Sequence, residues 1–237
     1  MLVFSRIHAD HPGLTNATTS TSENQNPAIA LLTDLDTEPH RQALARIFGS
    51  RYRAYRSLDD LAKRGAEPTL LSFSTSVIVP AEVFEQFPGG AYNLHAASPQ
   101  YPGRDPHHWA IYDGARDYGA TLHVMGKRVD DGPIIDVELF AVAPDEKPMA
   151  LLERANAAAF QLLARNAGRL TSGKLIVPDG KFAWSGKKHS RKDFLEMCRF
   201  DASLSREEFE RRVRAFDVPH YDNITVTLHG RTFRLEK

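Results

Sequence analysis

Cysteine is almost missing from this chain. Of 237 residues only Cys198 is one, and a single thiol builds neither an internal disulfide framework nor a cysteine-rich metal site. Cys198 falls in a helix-like stretch and reads as a packing residue. An excess of either charge is missing too, since Lys plus Arg and Asp plus Glu each number 30. That balance gives no electrostatic case for a nucleic-acid or membrane partner. No apolar run approaches the roughly 20 residues needed to cross a bilayer. The first residues also lack the basic-then-apolar order of a secretory leader, so the expected compartment is the cytoplasm. Order-forming signals are scarce at the start. Thr18 to Asn26 is polar and turn-rich, and residues 1–26 read as a flexible leader. Its His8, Asp10 and His11 read as a solvated tail, not as metal ligands.

What is present is enough for a core. Apolar residues make up 42% and charged residues 25%, which fits one sizeable α/β domain with an appendage. The fold begins at Ala28 to Thr33, a compact apolar run of buried-strand character. Asp36 or Thr37 caps a helix with Pro39 in its first turn, which places Leu44, Ile47 and Phe48 on one face and ends at Gly49. Tyr52 to Tyr55 reads as a strand, Leu58 to Arg64 as a short helix and Thr69 to Ser74 as another buried strand. A helix from Pro80 to Phe87 leads to the strand of Asn93 and His95. Thr121 to Met125 alternates as a strand, with Ile134 to Val142 as its partner. Alternating strands and helices predict a Rossmann-like, mostly parallel twisted sheet with helices on both faces. Pro148 to Ala167 is a long Ala- and Leu-rich amphipathic helix ending at Gly168, with no visible chemistry. A basic loop follows over Lys181 to Arg191. Ser205 and Glu208 form a capping box for a helix through Phe209, Val213 and Phe216. Ile224 to Leu228 and Thr232 to Leu235 read as a β-hairpin. The expected division is a leader (1–26), a catalytic domain (27–180) and a small C-terminal helix-and-hairpin appendage (181–237).

The chemistry concentrates in Asn93-Leu94-His95 and Asp130-Asp131-Gly132-Pro133. Alternate side chains of a strand share a face, so Asn93 and His95 project together. A carboxylate arriving from the Gly-Pro turn closes a cluster of amide, imidazole and carboxylate. The amide N–H donates to an oxyanion, the imidazole moves a proton near neutrality, and the carboxylate orients the imidazole or takes the amine's proton. That trio suits acyl transfer to an amine. Between the two stretches, Tyr101, Arg104, His107 and Trp109 are the candidates for substrate contact, as residues of a Pro- and Gly-rich loop and the start of a helix. The adjacent His107 and His108 point about 100° apart on a helix and make a poor pair of metal ligands, so no metal is expected. His123, in Gly119-Ala120-Thr121-Leu122-His123, reads as structural.

Taken together, Asn-x-His, a loop containing Pro and Gly, Ala110-Ile111 in a helix, Gly-x-Thr-x-His and Asp-x-Gly-Pro resemble the folate-dependent formyltransferases over residues 70–137. The resemblance implies Asn93, His95 and Asp130 as catalytic residues, with Asp130 preferred to Asp131 because the family's Asp stands two before the Gly. It implies 10-formyltetrahydrofolate as co-substrate, with its pterin ring read by the backbone of Thr75, Ser76, Val77 and Ile78. Where the family usually continues Pro-Ser-Leu-Leu-Pro after the His, this chain has Ala96-Ala97-Ser98-Pro99 and is one residue shorter. Val213-Arg214-Ala215-Phe216 with Pro219 resembles an element that follows the catalytic domain in members with C-terminal extensions.

Family members differ in their amine acceptor. Enzymes acting on glycinamide ribonucleotide normally end soon after the long helix, and those acting on initiator tRNA carry a full basic C-terminal domain. The resemblance is therefore greatest to sugar N-formyltransferases, whose acceptor is a nucleotide-linked amino sugar. Lys187, Lys188, Arg191 and Arg214 are then candidates for its pyrophosphate, and a homodimer is a compatible assembly. A catalytically silent subunit that binds folate or a nucleotide is the reading of a different class.

Overall fold

A computed structural model describes residues 26–218 and 223–234. The expected leader through residue 25, with His8, Asp10 and His11, lies outside the described residues, as does Pro219. Strands β1 (Ile29–Leu32), β2 (Tyr52–Tyr55), β3 (Thr69–Phe73), β4 (Ala91–His95), β5 (Asp117–Val124) and β6 (Ile134–Ala141) form one sheet. Its order is β2-β1-β3-β4-β5-β6. The first four strands are parallel. β5 is antiparallel to β4, and β6 to β5. The chain steps from β1 to β2 on one side and to β3 on the other, the kind of reversal outside which open α/β sheets bind ligands.

β1 and β3 are buried at every residue, which is why they read as continuous apolar runs: helices cover both sheet faces. On one face Ile29, Leu31, Leu71, Phe73, Leu94 and Leu122 meet Leu44 and Phe48 of α1 (Glu38–Phe48) and Leu162 and Leu163 of α5 (Pro148–Leu170). On the other, Ala30, Leu32, Leu70 and Ala91 meet Tyr55, Phe87 and Leu61 of α2 (Leu58–Leu61). The side-chain alternation of a strand produces this division. The expected helix from Pro80 to Phe87 is shorter in the structure, where α3 covers Ala81–Phe84.

Thr37 does stand at the N-cap of α1, but its hydroxyl bonds to the His40 ring and not to the backbone. Gly49, at φ 59°, follows the last turn as expected. Gly168 does not end α5, which runs through it to Leu170 with Thr171 as the cap. A lone glycine costs about 1 kcal/mol in a helix, less than the buried Leu170 anchor returns.

After α5 the chain crosses the sheet's end and forms two helices, α6 (Arg191–Met197) and α7 (Arg206–Phe216), with α4 (Pro106–Asp113) beneath them. Trp109, Tyr118, Leu151, Ala155, Phe194, Cys198, Ala215 and Phe216 make a third hydrophobic cluster, so buried packing runs across residue 180. The sequence reading missed α6, although Ser190 and Asp193 form a reciprocal capping box there. At α7 half of the expected box is present: Ser205 accepts from Glu208 N. The Glu208 carboxylate is instead engaged by Arg212 and the Tyr112 hydroxyl. A short strand, β7 (Arg199–Asp201), was also missed; it pairs in parallel with β8 (Thr225–Leu228). β8 and β9 (Arg231–Arg234) form the expected hairpin, turning through His229 and Gly230, both at positive φ, as a tight two-residue hairpin requires.

α7 is fixed by Phe216, which is fully buried, and by the Ala215 carbonyl, which accepts from His108 Nδ1 at 2.5 Å. Phe216→Ala is expected to cost about 3–5 kcal/mol of unfolding free energy, measured by denaturant titration. A loss below 1 kcal/mol would mean that α7 is an independent cap.

Candidate active site

Asn93 and His95 project from one face of β4, at the carboxyl ends of the parallel strands. Directly opposite Asn93 across the antiparallel pair sits His123 of β5, and residues so opposed share a face. Asp130 enters from the turn after β5 at φ 47°, a left-handed conformation that Asp tolerates better than most residues. Its carboxylate is buried and surrounded. Oδ2 accepts from Gly103 N at 2.8 Å and lies 3.7 Å from His95 Nδ1. Oδ1 lies 3.4 Å from His123 Nε2 and 3.4 Å from Asn93 Nδ2. Gly103, at φ 95°, supplies its N–H from a loop conformation that a side chain rarely adopts.

Hydrogen bonds fix the orientation of both imidazoles. The Tyr101 carbonyl accepts from His95 Nε2 at 3.0 Å. The Val124 carbonyl accepts from His123 Nδ1 at 2.8 Å, and His123 Nε2 lies 3.1 Å from Asn93 Nδ2. That leaves the second amide N–H of Asn93 only a long contact with Asp130. Burial alone would raise the Asp130 carboxyl. The His95 charge, the His123 contact and the Gly103 N–H outweigh it and hold the group well below the usual carboxylate range.

The structure therefore brings Asn93, His95 and Asp130 together. Asp131 faces outward and pairs with Arg128 at 2.8 Å. His123, which the sequence reading took as structural, is part of the same cluster. The register of Asn93 against a Gly-x-Thr-x-His strand was the signal that could have found it.

These residues stand in a cleft of about 790 Å³, within the size range of small-molecule sites. Thr75, Ser76, Val77 and Ile78 line it, as do Arg104 and His107. Tyr101 and Trp109 do not: Trp109 is buried in the third hydrophobic cluster, and Tyr101 packs on its edge. Their contribution is indirect, through the Tyr101 carbonyl on His95 and the Trp109 ring stacked on His189 at 3.6 Å. Of the four expected basic residues, Lys188 and Arg191 line the cleft. Arg191 lies 3.7 Å from Asp105, and Arg214 instead donates to the Pro144 carbonyl. Leu152 and Asn156, one turn apart on α5, also line it, so that helix is not free of polar groups at the site.

His107 is held neutral. Burial, with His108 alongside, pushes it down to about 3, and its Nδ1 has no hydrogen-bond partner among the described residues. Three of the four non-glycine residues with positive φ among the described residues, Ser74, Asp105 and Asp130, line this cleft. Strained backbone of this kind gathers at functional sites. Among the described residues no cluster of His, Cys, Asp or Glu is arranged to hold a metal, and no helix is long and apolar enough to cross a membrane.

An α/β sheet with an amide, two imidazoles and a carboxylate at its carboxyl edge defines a protein equipped for group transfer. Residues 21–166 match the formyl transferase family, and the chain belongs to that family. Several solved structures share the fold. A 4-N formyltransferase from Francisella tularensis matches with a TM-score of 0.68 at 20% identity, over 87% of this chain and 95% of that one. An N-formyltransferase from Helicobacter canadensis, in complex with folinic acid and dTDP-3-aminofucose, matches at 0.62 and 16%, over 86% and 85%. The formyltransferase PseJ from Anoxybacillus kamchatkensis, bound to UDP-4,6-dideoxy-4-formamido-L-AltNAc and tetrahydrofolate, matches at 0.56 and 23%, over 71% and 88%.

Asp130 gives this site a pH signature. Its carboxyl is lowered in the folded state, so its stabilising contribution is full above the unfolded carboxylate value and is lost as pH falls toward the folded one. Asp130→Asn is therefore expected to be less stable than the parent at pH 7, with the gap narrowing progressively as pH falls below about 4, as read by denaturant titration. A gap that widens on acidification would contradict this assignment.

Proposed function

We propose that this protein transfers a formyl group from 10-formyltetrahydrofolate to the amine of a nucleotide-linked amino sugar. The observation that carries the reading is the convergence of Asn93, His95 and Asp130 at one end of a cleft whose other walls are Thr75–Ile78 and a basic rim. In the step proposed, the neutral amine attacks the formyl carbon and the carbonyl electrons move onto oxygen. The less engaged N–H of Asn93 donates to that oxyanion. His95, oriented by the Tyr101 carbonyl and by Asp130, relays the amine's proton toward the folate nitrogen as the carbon–nitrogen bond to folate breaks. The products are a formamide and tetrahydrofolate.

The donor side is supported by the segment Thr75–Ile78. It lies outside any helix or strand and lines the cleft, so its main chain can be presented to a planar heterocycle. The acceptor side is supported by Lys188, Arg104 and Arg191 on the rim, suited to phosphate. Proteins of the same fold that bind folates and nucleotide-linked amino sugars support the same reading.

The test is a panel of dTDP-, GDP- and UDP-linked amino sugars, with glycinamide ribonucleotide as control, each incubated with donor and read by mass gain. One nucleotide-linked amino sugar is expected to be formylated and the control not. Asp130→Asn is expected to lose this activity by about 100-fold or more, and Asp131→Asn to keep it. Efficient turnover of glycinamide ribonucleotide would sink the acceptor assignment, and an inactive Asp131→Asn would sink the choice of carboxylate.

A further inference from the structure

The segment from Phe182 to Ser190, between α5 and α6, holds no regular structure, yet it is fastened to both loops that build the polar cluster. Ser185 N donates to the Pro99 carbonyl at 3.2 Å and Arg104 N to the His189 carbonyl at 3.1 Å. Gly103 and His189 pair as an isolated bridge. Lys188 Nζ donates to the Val129 carbonyl. At Gly186 the strap runs so close to Gln100 that any Cβ would overlap the Gln100 carbonyl. These loops supply the Tyr101 carbonyl to His95 and the Gly103 N–H to Asp130.

Trp184 sits at the centre of this strap. Its Nε1–H donates to the Gly132 carbonyl at 2.8 Å, inside the turn that carries Asp130. Its ring stands across both imidazoles, 6.1 Å from His95 at 62° and 5.1 Å from His123 at 83° between centroids and planes. It does not line the cleft, as both histidines do. The ring therefore forms a wall behind the imidazoles while the cleft leaves their front open.

From this geometry we infer that Trp184 is a positioning residue for the reaction: it holds His95 and His123 in register with Asp130 and keeps water from their rear faces. Its hydrogen bond to Gly132 locks the Asp130 turn to the same wall. The strap as a whole thus couples the two loops that aim the imidazoles and the carboxylate, with Trp184 fastening the Asp130 turn. Trp184 touches no reacting atom in this role, which rests on the part proposed for His95. Aromatic edge contacts of this kind are directional, and misplacement of reacting groups by about 1 Å costs on the order of 100-fold in rate.

The groups that set the charge around these imidazoles come from several elements. Asp130 faces both rings. Lys127 and Arg128 of the turn, Arg104 and Asp105 of the loop before α4, and Lys188 of the strap line the same cleft. Replacing Trp184 removes none of these charges. Removing the wall admits water, which favours the charged imidazolium and raises the pH at which a ring titrates.

The deciding measurement is proton NMR titration of the His95 and His123 rings in the substrate-free chain, assigned with single His→Gln variants. It needs no formyl transfer, so its result stands apart from that of the acceptor panel. Trp184→Gln keeps a donor for the Gly132 carbonyl but removes the wall, and is expected to raise at least one midpoint by about half a pH unit or more. Trp184→Leu keeps apolar bulk for the case in which the polar variant fails to fold, and is expected to shift the same midpoint in the same direction by less. On the acceptor found by the panel, turnover should fall about 10- to 100-fold with KM little changed. Midpoints unmoved in a folded variant would overturn the assignment, whatever happens to turnover.

Discussion

The site depends on one buried carboxylate. Asp130 is buried, where a charge is costly, in a left-handed backbone conformation, and stays ionised because Gly103 N–H, His95 and His123 converge on it. Each of those partners is itself held from elsewhere. Gly103 is fixed by the strap, His123 by the Val124 carbonyl, and His95 by the Tyr101 carbonyl. A weakened Asp130 turn therefore loosens the amide, both imidazoles and the loop at once.

This arrangement explains why the segment after α5 is packed in and not merely appended. Its strap fastens the loops of the site. Its helices α6 and α7 close the third hydrophobic cluster over α4, whose preceding loop carries Arg104 and Asp105. The contacts of His108 with Ala215 and of Tyr112 with Glu208 tie α4 to α7.

How much of this was legible depended on whether the signal was local. β1 and β3 could be read because strands covered on both faces need uninterrupted apolar residues, and the placement of Asn93 beside His95 follows from strand alternation alone. The place of His123 in the cluster was not legible because nothing local says which face of β5 becomes the site; only its register against Asn93 does. Trp109 looks like a rim residue in the sequence, but it is drawn inward by Phe216, more than a hundred positions later. Gly168 failed as a stop signal because tertiary burial of Leu170 outweighs a local propensity. α6 was missed because its box is built from Ser190 and Asp193, at the end of a stretch whose basic character reads as loop.

The central claim is that a proton-relaying imidazole, aimed by a buried carboxylate, performs formyl transfer in this cleft. The most direct test is His95→Ala, with donor binding and turnover measured on the same preparation. Donor affinity is expected to be unchanged within a few-fold while turnover falls by about 100- to 10,000-fold. Near-normal turnover in that variant would contradict the account.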